Sequence, residues 1–507
     1  MLSLITFLPI VGAIVLLFFP KERLNIIRWT ALGIAIATLV LSFAALLIYS
    51  QVSLSAPFTG STFYLQENLS WISSLGISYS LAVDGISALL VLLTTLLTVV
   101  CIGASFSIDR KVKNYMAFML LLEGGLIGVF LATNLFLFYI FWEVMLIPAY
   151  FLVGAWGGER RIYAAFKFVL YTSVGSFLML AAIVALGYFH QQANSGGYTL
   201  DLITLLNGKL DSGIQMWLLL GFAAAFTVKV PLVPFHSWLP DAYTEAPAPV
   251  TAMLAGAMAK AGAYGFLRFC IPLFPSAIQT LAPLFRILAV IGILYCAWQA
   301  LTQTDLKRIL AYSSISHLGV IILAMFAFNS QGVEGAVLQM VNHGITIAAL
   351  FLLVGFLEAR TGTRKIGDFG GLARRIPVLA TLMIIASLSS LGLPGLNSFA
   401  GEFLALLGTF RNSVTFGVLG TIVVVPAAWY MIRFFQDTMQ GPLRTDGHVG
   451  ILLRKGMLVD IRVDEFVVLL PLLFLIFFIG LYPAPLTALM DPSVQNIMQN
   501  LGNLFTN

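Results

Sequence analysis

The sequence predicts an all-α polytopic membrane protein. It has about 14 transmembrane helices, with two inverted five-helix repeats, each with a broken fourth helix. Three observations lead there. Of 507 residues, 60% are hydrophobic and only 10% charged, against roughly 25% charged in soluble domains. Apolar runs of about 20 residues recur from end to end, each long enough to cross a ~30 Å hydrocarbon core. Finally, Lys and Arg alternate between the loops that join those runs.

The spans run 2–20, 28–50, 83–106, 114–132, 134–155, 163–188, 213–239, 248–271, 282–303, 308–328, 335–358, 376–409, 414–435 and 465–483. The first has no basic residue before it, Lys21 coming after, and no small-residue cleavage site follows. It therefore reads as a membrane helix and not as a signal peptide. Of the 27 Lys and Arg, Lys209, Arg268, Arg286 and Arg411 lie after even-numbered spans or at their edges, and Lys229 and Lys260 lie within spans. The others fall in the loops after spans 1, 3, 5, 9, 11 and 13. By the positive-inside rule those loops face the cytoplasm or its equivalent, and both termini face the other side.

Residues 1–507 read as a single integral membrane domain in four parts. Spans 1–3 occupy 1–106, a first five-helix repeat 114–271, its inverted counterpart 282–435, and a cytoplasmic loop, span 14 and a tail 436–507. Span 7 carries Lys229-Val-Pro231-Leu-Val-Pro234-Phe-His236-Ser-Trp238-Leu-Pro240, and span 12 carries Gly392-Leu-Pro394-Gly395-Leu-Asn397-Ser-Phe-Ala-Gly401-Glu402. Proline removes a backbone donor and clashes with the preceding turn, so both helices should unwind there. Each is fourth in its block of five, and an odd number of helices makes the second block enter from the opposite side. Broken helices at matching positions of inverted repeats point to a transport site.

Five ionisable residues lie deep in apolar spans: Glu123, Glu143, Lys229, Lys260 and Glu402. Each costs at least ~2.5–3.5 kcal/mol to place there, and chains that retain such groups use them. Glu123 and Glu143 lie about ten residues on either side of the 132–134 turn, roughly 15 Å from it on adjacent antiparallel helices. Lys260 is near the middle of span 8, and His317 and His343 lie inside spans 10 and 11. A buried lysine tends toward neutrality by desolvation, while a nearby carboxylate keeps it charged. A Glu143–Lys229 pair that joins and parts would load and release a proton. The seven residues then read as one midplane relay, Glu123, Glu143, Lys229, Lys260, His317, His343, Glu402. The structural alternative for each is a buried ion pair or a hydrogen-bonded packing residue. Asp84 before span 3 reads as a helix cap, and Asp305, Lys307 and Arg308 as a cytoplasmic helix boundary.

Cys101, Cys270 and Cys296 are scattered, with no CxxC or Cys/His cluster and no phosphate loop or dinucleotide fingerprint, so redox chemistry is expected in other chains. The +5 net charge reflects membrane topology and implies no nucleic-acid partner; lipids surround the chain.

Several stretches resemble the antiporter-like subunits of the respiratory complex I family, which includes the NDH-1 complexes of cyanobacteria and chloroplasts. They are Phe141-Trp142-Glu143-Val-Met-Leu-Ile-Pro148, Val228-Lys229-Val-Pro231, His236-Ser-Trp238-Leu-Pro240-Asp241, Leu254-Ala-Gly-Ala-Met-Ala-Lys260-Ala-Gly-Ala-Tyr-Gly265, Ala311-Tyr-Ser-Ser-Ile-Ser-His317-Leu-Gly319 and Asn342-His343-Gly344. The likeness is clearest over 80–435. It implies that Glu143 and Lys229 match the family's helix 5 and helix 7 pair, and that Lys260 matches its connecting lysine. Glu402 matches a helix 12 glutamate, where the L-type branch has lysine. Tyr243 and Thr244 depart from the pattern, which common members fill with His and, in the NDH-1 branch, Gly. The resemblance implies a non-redox, proton-translocating membrane subunit driven by quinone reduction elsewhere. NAD(P)H or ferredoxin, FMN, iron–sulfur clusters and quinone would be bound by partners, and L/5-like and N/2-like subunits would flank it. The membrane would be a bacterial plasma membrane or a thylakoid. The alternatives are the D-type subunit of a multisubunit Na⁺/H⁺ antiporter and a scaffold that no longer pumps.

Overall fold

A computed structural model describes residues 1–55, 63–72, 75–194, 197–444 and 447–505. The chain is an all-α integral membrane protein. Among the described residues, twelve helices are long and apolar enough to cross a bilayer, and Leu2–Leu16 and Pro377–Ser390 are shorter apolar helices. Together they account for every predicted span.

Boundaries shift where local signals were weak. Pro275–Thr302 begins seven residues before the predicted 282, because Pro275 fits a first-turn position. The 163–188 span runs as Arg161–Ala193. Two features went unforeseen. Tyr64–Ile72 and Ile77–Val83 form an antiparallel hairpin beside the 132–134 turn, where the Thr133 amide donates to the Ser80 carbonyl at 3.0 Å. The predicted tail is a further helix, Ala484–Phe505. It docks on the start of Gly85–Ala104, whose Gly85 amide donates to Ser493 Oγ at 3.0 Å.

The helices that carry Lys260, His317 and His343 occupy the centre. The most apolar stretch of Ala248–Leu273 is 100% buried and that of Ser330–Thr361 94% buried, against 33% in Leu24–Val52 and Val463–Leu481. Small residues make this possible by letting backbones approach. A Cβ on Gly344 would lie 2.7 Å from the Gly256 carbonyl oxygen, and one on Gly335 2.2 Å from the Ala405 amide nitrogen. Ser330–Thr361 is thus clasped between Ala248–Leu273 and Asn397–Asn412.

Both foreseen breaks are present. Ser212–Lys229 stops at Lys229 and the chain resumes helix at Trp238–Glu245. Unwound backbone at membrane depth needs partners within the protein, and here Trp238 Nε1 donates to the Val228 carbonyl at 3.0 Å and the Leu232 amide to Thr227 at 3.0 Å. The second break separates Pro377–Ser390 from Asn397–Asn412. Asn342 and Asn397 hold it by donating to each other's backbone carbonyls at 2.7 and 3.1 Å.

Asp84 caps Gly85–Ala104, accepting from the Ser87 amide at 2.9 Å, and also pairs with Arg268 at 2.6 Å inside the protein. Asp305 caps Leu306–Met325, accepting from the Lys307 amide at 2.9 Å, and Arg364 reaches its carboxylate at 3.2 Å.

Candidate functional site

Lys260 is fully buried. Its helix is distorted on both sides, with π-helical turns at Leu254–Met258 and Phe266–Cys270. Such turns are rare and frequent at functional sites because they free backbone carbonyls. The Lys260 ammonium donates to the Ala255 carbonyl at 2.5 Å and meets His343 Nδ1 at 2.7 Å. The Gly256–Gly344 crossing, one residue from His343, brings the two helices close enough for this contact.

From His343 the arrangement continues across the core. The His343 and His317 rings are tilted against each other with centroids 5.7 Å apart. His317 Nδ1 meets Glu402 Oε1 at 2.6 Å, and Gln339 Nε2 donates to the same oxygen at 3.0 Å. The other His317 nitrogen faces the Tyr430 hydroxyl at 3.4 Å, and Tyr430 bonds Ser313 Oγ at 3.0 Å. Glu402 itself sits six residues beyond the break before Asn397–Asn412, and a Cβ on Gly392 would lie 2.9 Å from its Oε2. The order in space is Lys260, His343, His317, Glu402. It differs from the order along the chain because Ser330–Thr361, not Leu306–Met325, packs against the Lys260 helix.

Glu143 and Lys229 form a second group. The Lys229 ammonium, 1% exposed as a residue, has no hydrogen-bond partner, and no ion pair joins it to Glu143 within 4.0 Å among the described residues. Instead, Lys229 Nζ lies 5.4 Å from the centroid of the Trp142 ring and 5.5 Å from that of Phe168. Glu143 is partly exposed in the isolated chain, with its Oε1 unpartnered. Glu123 is fully buried with both oxygens unpartnered, and no hydrogen bond links it to Glu143. The structure therefore joins Lys260, His343, His317 and Glu402 by successive contacts and leaves Glu123, Glu143 and Lys229 as separate groups.

Gln339, Tyr430, Ser313 and the π-turns escaped the sequence analysis. A buried Gln or Tyr in an apolar helix carries no spacing signal, although a polar residue at that depth is itself a cue. A cleft of about 600 Å³ opens where Ala248–Leu273 begins and Ser330–Thr361 ends. Lys307, Glu358 and Arg364 line it, with Lys307 Nζ 2.8 Å from Glu358.

Broken helices with titratable groups strung between them define a class of membrane protein that moves ions, and the comparisons agree with that class. Residues 132–425 match the family described as NADH:quinone oxidoreductase/Mrp antiporter, TM, and the chain belongs to it. It is similar to NADH-quinone oxidoreductase subunit M of Escherichia coli K12, 37% identical over 508 residues covering 98% of both chains. Against the subunit M of Rhodobacter capsulatus it is 38% identical over 99% of this chain and 96% of that one. Among solved structures it resembles a chain of respiratory complex I from Thermus thermophilus with bound NADH. The TM-score is 0.88 at 31% identity, covering 99% and 100% of the two chains. The Mrp complex from Dietzia, at 21% identity and TM-score 0.84 over 99% of both chains, shares the fold.

Proposed function

We propose that this chain is the M-type proton-translocating, non-redox subunit in the membrane arm of a complex I-type quinone oxidoreductase, called chain 4 in NDH-1 complexes. Full-length similarity to subunit M chains supports that placement over the D-type Na⁺/H⁺ antiporter subunit. One observation carries the mechanism: Lys260 reaches His343 at 2.7 Å and His317 reaches Glu402 at 2.6 Å, on helices that meet in the core.

In this reading a proton enters from the cytoplasmic cleft and charges Lys260. The ammonium hands it to His343 Nδ1. The ring releases its other proton from Nε2, which has no partner, toward His317. His317 passes one on from Nδ1 to Glu402, beside the second helix break. Each hop lies within, or one rearrangement beyond, the reach that proton transfer requires. Glu143 and Lys229 form the matching station of the first repeat, 114–271, and Glu123 tunes it. Residues 282–435 form the inverted repeat. Quinone reduction in partner subunits drives the cycle, with NAD(P)H or ferredoxin as donor and FMN and iron–sulfur clusters held outside this chain. The L/5-like and N/2-like subunits lie on its flanks, in a bacterial plasma membrane or a thylakoid.

The test is Lys260→Met in the assembled complex reconstituted into vesicles. Retained assembly with a lowered proton yield per electron pair is expected. An assembled variant with the wild-type yield and rate would overturn the proposal. Tagging this chain and identifying what co-purifies tests the partners: recovery with antiporter subunits and no redox subunits would favour the Na⁺/H⁺ antiporter.

A further inference from the structure

Lys229 presents a puzzle that the relay does not resolve. Its ammonium has three N–H donors, yet none is used, and the residue is 1% exposed. Two aromatic faces occupy the space where acceptors would stand: Trp142, 1% exposed, and Phe168, 0% exposed. Both centroid distances fall within the ~6 Å over which a ring quadrupole attracts a cation, and desolvation strengthens the attraction.

The rings are held firmly. Trp142 packs on Phe138 at 5.6 Å and on Phe226 at 5.5 Å, centroid to centroid. Phe168 packs on Trp238 at 5.1 Å, and Trp238 is anchored to the Val228 carbonyl within the helix break. The stem of Lys229 is fixed from the other side, because a Cβ on Gly262 would come 3.0 Å from the Lys229 Cβ. Titratable groups also lie on the elements packed here. Glu143 and Tyr139 lie on Leu135–Trp156, and Lys167 on Arg161–Ala193 is tied to Asp241 at 2.8 Å. Lys260 is on the helix that carries Gly262, and His236 is in the break.

We infer that Trp142 and Phe168 form an aromatic cage that holds the Lys229 cation while Glu143 is apart from it. The inference rests on the proposal that Lys229 carries a proton. A ring face stabilises the cation but cannot accept its proton, so the cage keeps the lysine loaded without giving the proton an exit. A carboxylate at the same distance would do both. Trp142 and Phe168 are thus positioning residues that set how tightly the loaded state is held, and Trp142 sits next in sequence to the Glu143 that relieves it.

The experiment places fluorinated tryptophans of increasing fluorine content at position 142 alone, in the assembled complex in vesicles. Fluorination drains the ring face while nearly preserving shape, so a packing role predicts no trend. The alkaline limb of the pumping-against-pH profile should move to lower pH stepwise with fluorine number, by about one unit in total, a tenfold loss of proton affinity. A limb that stays fixed across the series overturns the cage. Phe168→Leu should move the limb in the same direction and Phe168→Tyr should leave it in place. Equal behaviour of the two would also overturn it. Lys229→Met separates the underlying proposal: if that variant pumps normally, Lys229 carries no proton and the proposal for it fails, whatever the tryptophan series gives.

Discussion

Replacing His343 with leucine should interrupt proton movement between Lys260 and Glu402. In the wild type, Lys260 Nζ has two partners, His343 Nδ1 at 2.7 Å and the Ala255 carbonyl at 2.5 Å. The carbonyl accepts a hydrogen bond but does not relay a proton. Without the imidazole the next titratable group is His317, whose ring centre lies 5.7 Å beyond that of His343. Direct transfer works over about 2.6–3.2 Å, or through one water, and an isobutyl group fills the space a water would need. A positioned acid–base group contributes roughly 10²- to 10⁴-fold to such a step, so transfer through this subunit should slow at least ~100-fold. The lost charge-assisted bond costs about 1.5–3 kcal/mol, which a large assembled core tolerates. The assay is simultaneous recording of quinone reduction and vesicle acidification, after checking that the complex is intact. The protons moved per electron pair should fall. His343→Gln sharpens the test, because glutamine keeps a hydrogen bond to Lys260 and does not titrate. If either variant assembles and pumps with the wild-type ratio and rate, His343 is a packing residue and the proposed route is wrong.

Three further outcomes are expected. Asp84→Asn should lower the thermal stability of the complex by about 3–5 kcal/mol by stranding buried Arg268, and Asp84→Asn with Arg268→Met should recover part of it, both read from melting of the purified complex. Gly344→Ala, whose Cβ would meet the Gly256 carbonyl at 2.7 Å, should part the helices bearing Lys260 and His343 and lower proton yield more than quinone reduction; unchanged yield would show that the crossing does not set the contact. Outside the membrane spans, Glu67 accepts from the Leu2 and Ser3 amides at 2.8 and 3.0 Å and also holds the N-terminal ammonium and the Ser3 hydroxyl. Burial alone would raise its carboxyl, but those donors hold it down at about 2. A depressed carboxyl stabilises above its unfolded value of about 4.3 and loses that contribution as pH falls toward 2, so hydrogen exchange at Leu2 and Ser3 should accelerate in that window, and already at neutral pH in Glu67→Gln.

Sequence alone determined the class and the depth of the parts. Bilayer thickness fixes the length of an apolar span, and the cost of moving a charge across it fixes where Lys and Arg reside, so spans and sidedness are written in one dimension. Proline chemistry likewise marked both helix breaks, and the expense of a buried charge marked Glu123, Glu143, Lys229, Lys260 and Glu402 before any neighbour was known. The strands Tyr64–Ile72 and Ile77–Val83 escaped because neither is long enough to stand out as a membrane span, and the helix Ala484–Phe505 because its amphipathic face lacks the length of apolar sequence that defines a span. Only the tertiary structure decided who meets whom. Helix packing in a membrane depends on small residues from distant segments, such as Gly256 against Gly344 and Gly335 against Ala405, and no local pattern names the partner. That packing puts His343 before His317, brings Gln339 to Glu402 and Tyr430 to His317, and holds Lys229 against two rings and away from Glu143. The sequence places each ionisable group at its depth, because depth is set by position along one helix. Contact among Lys260, His343, His317 and Glu402 is set by where four helices cross.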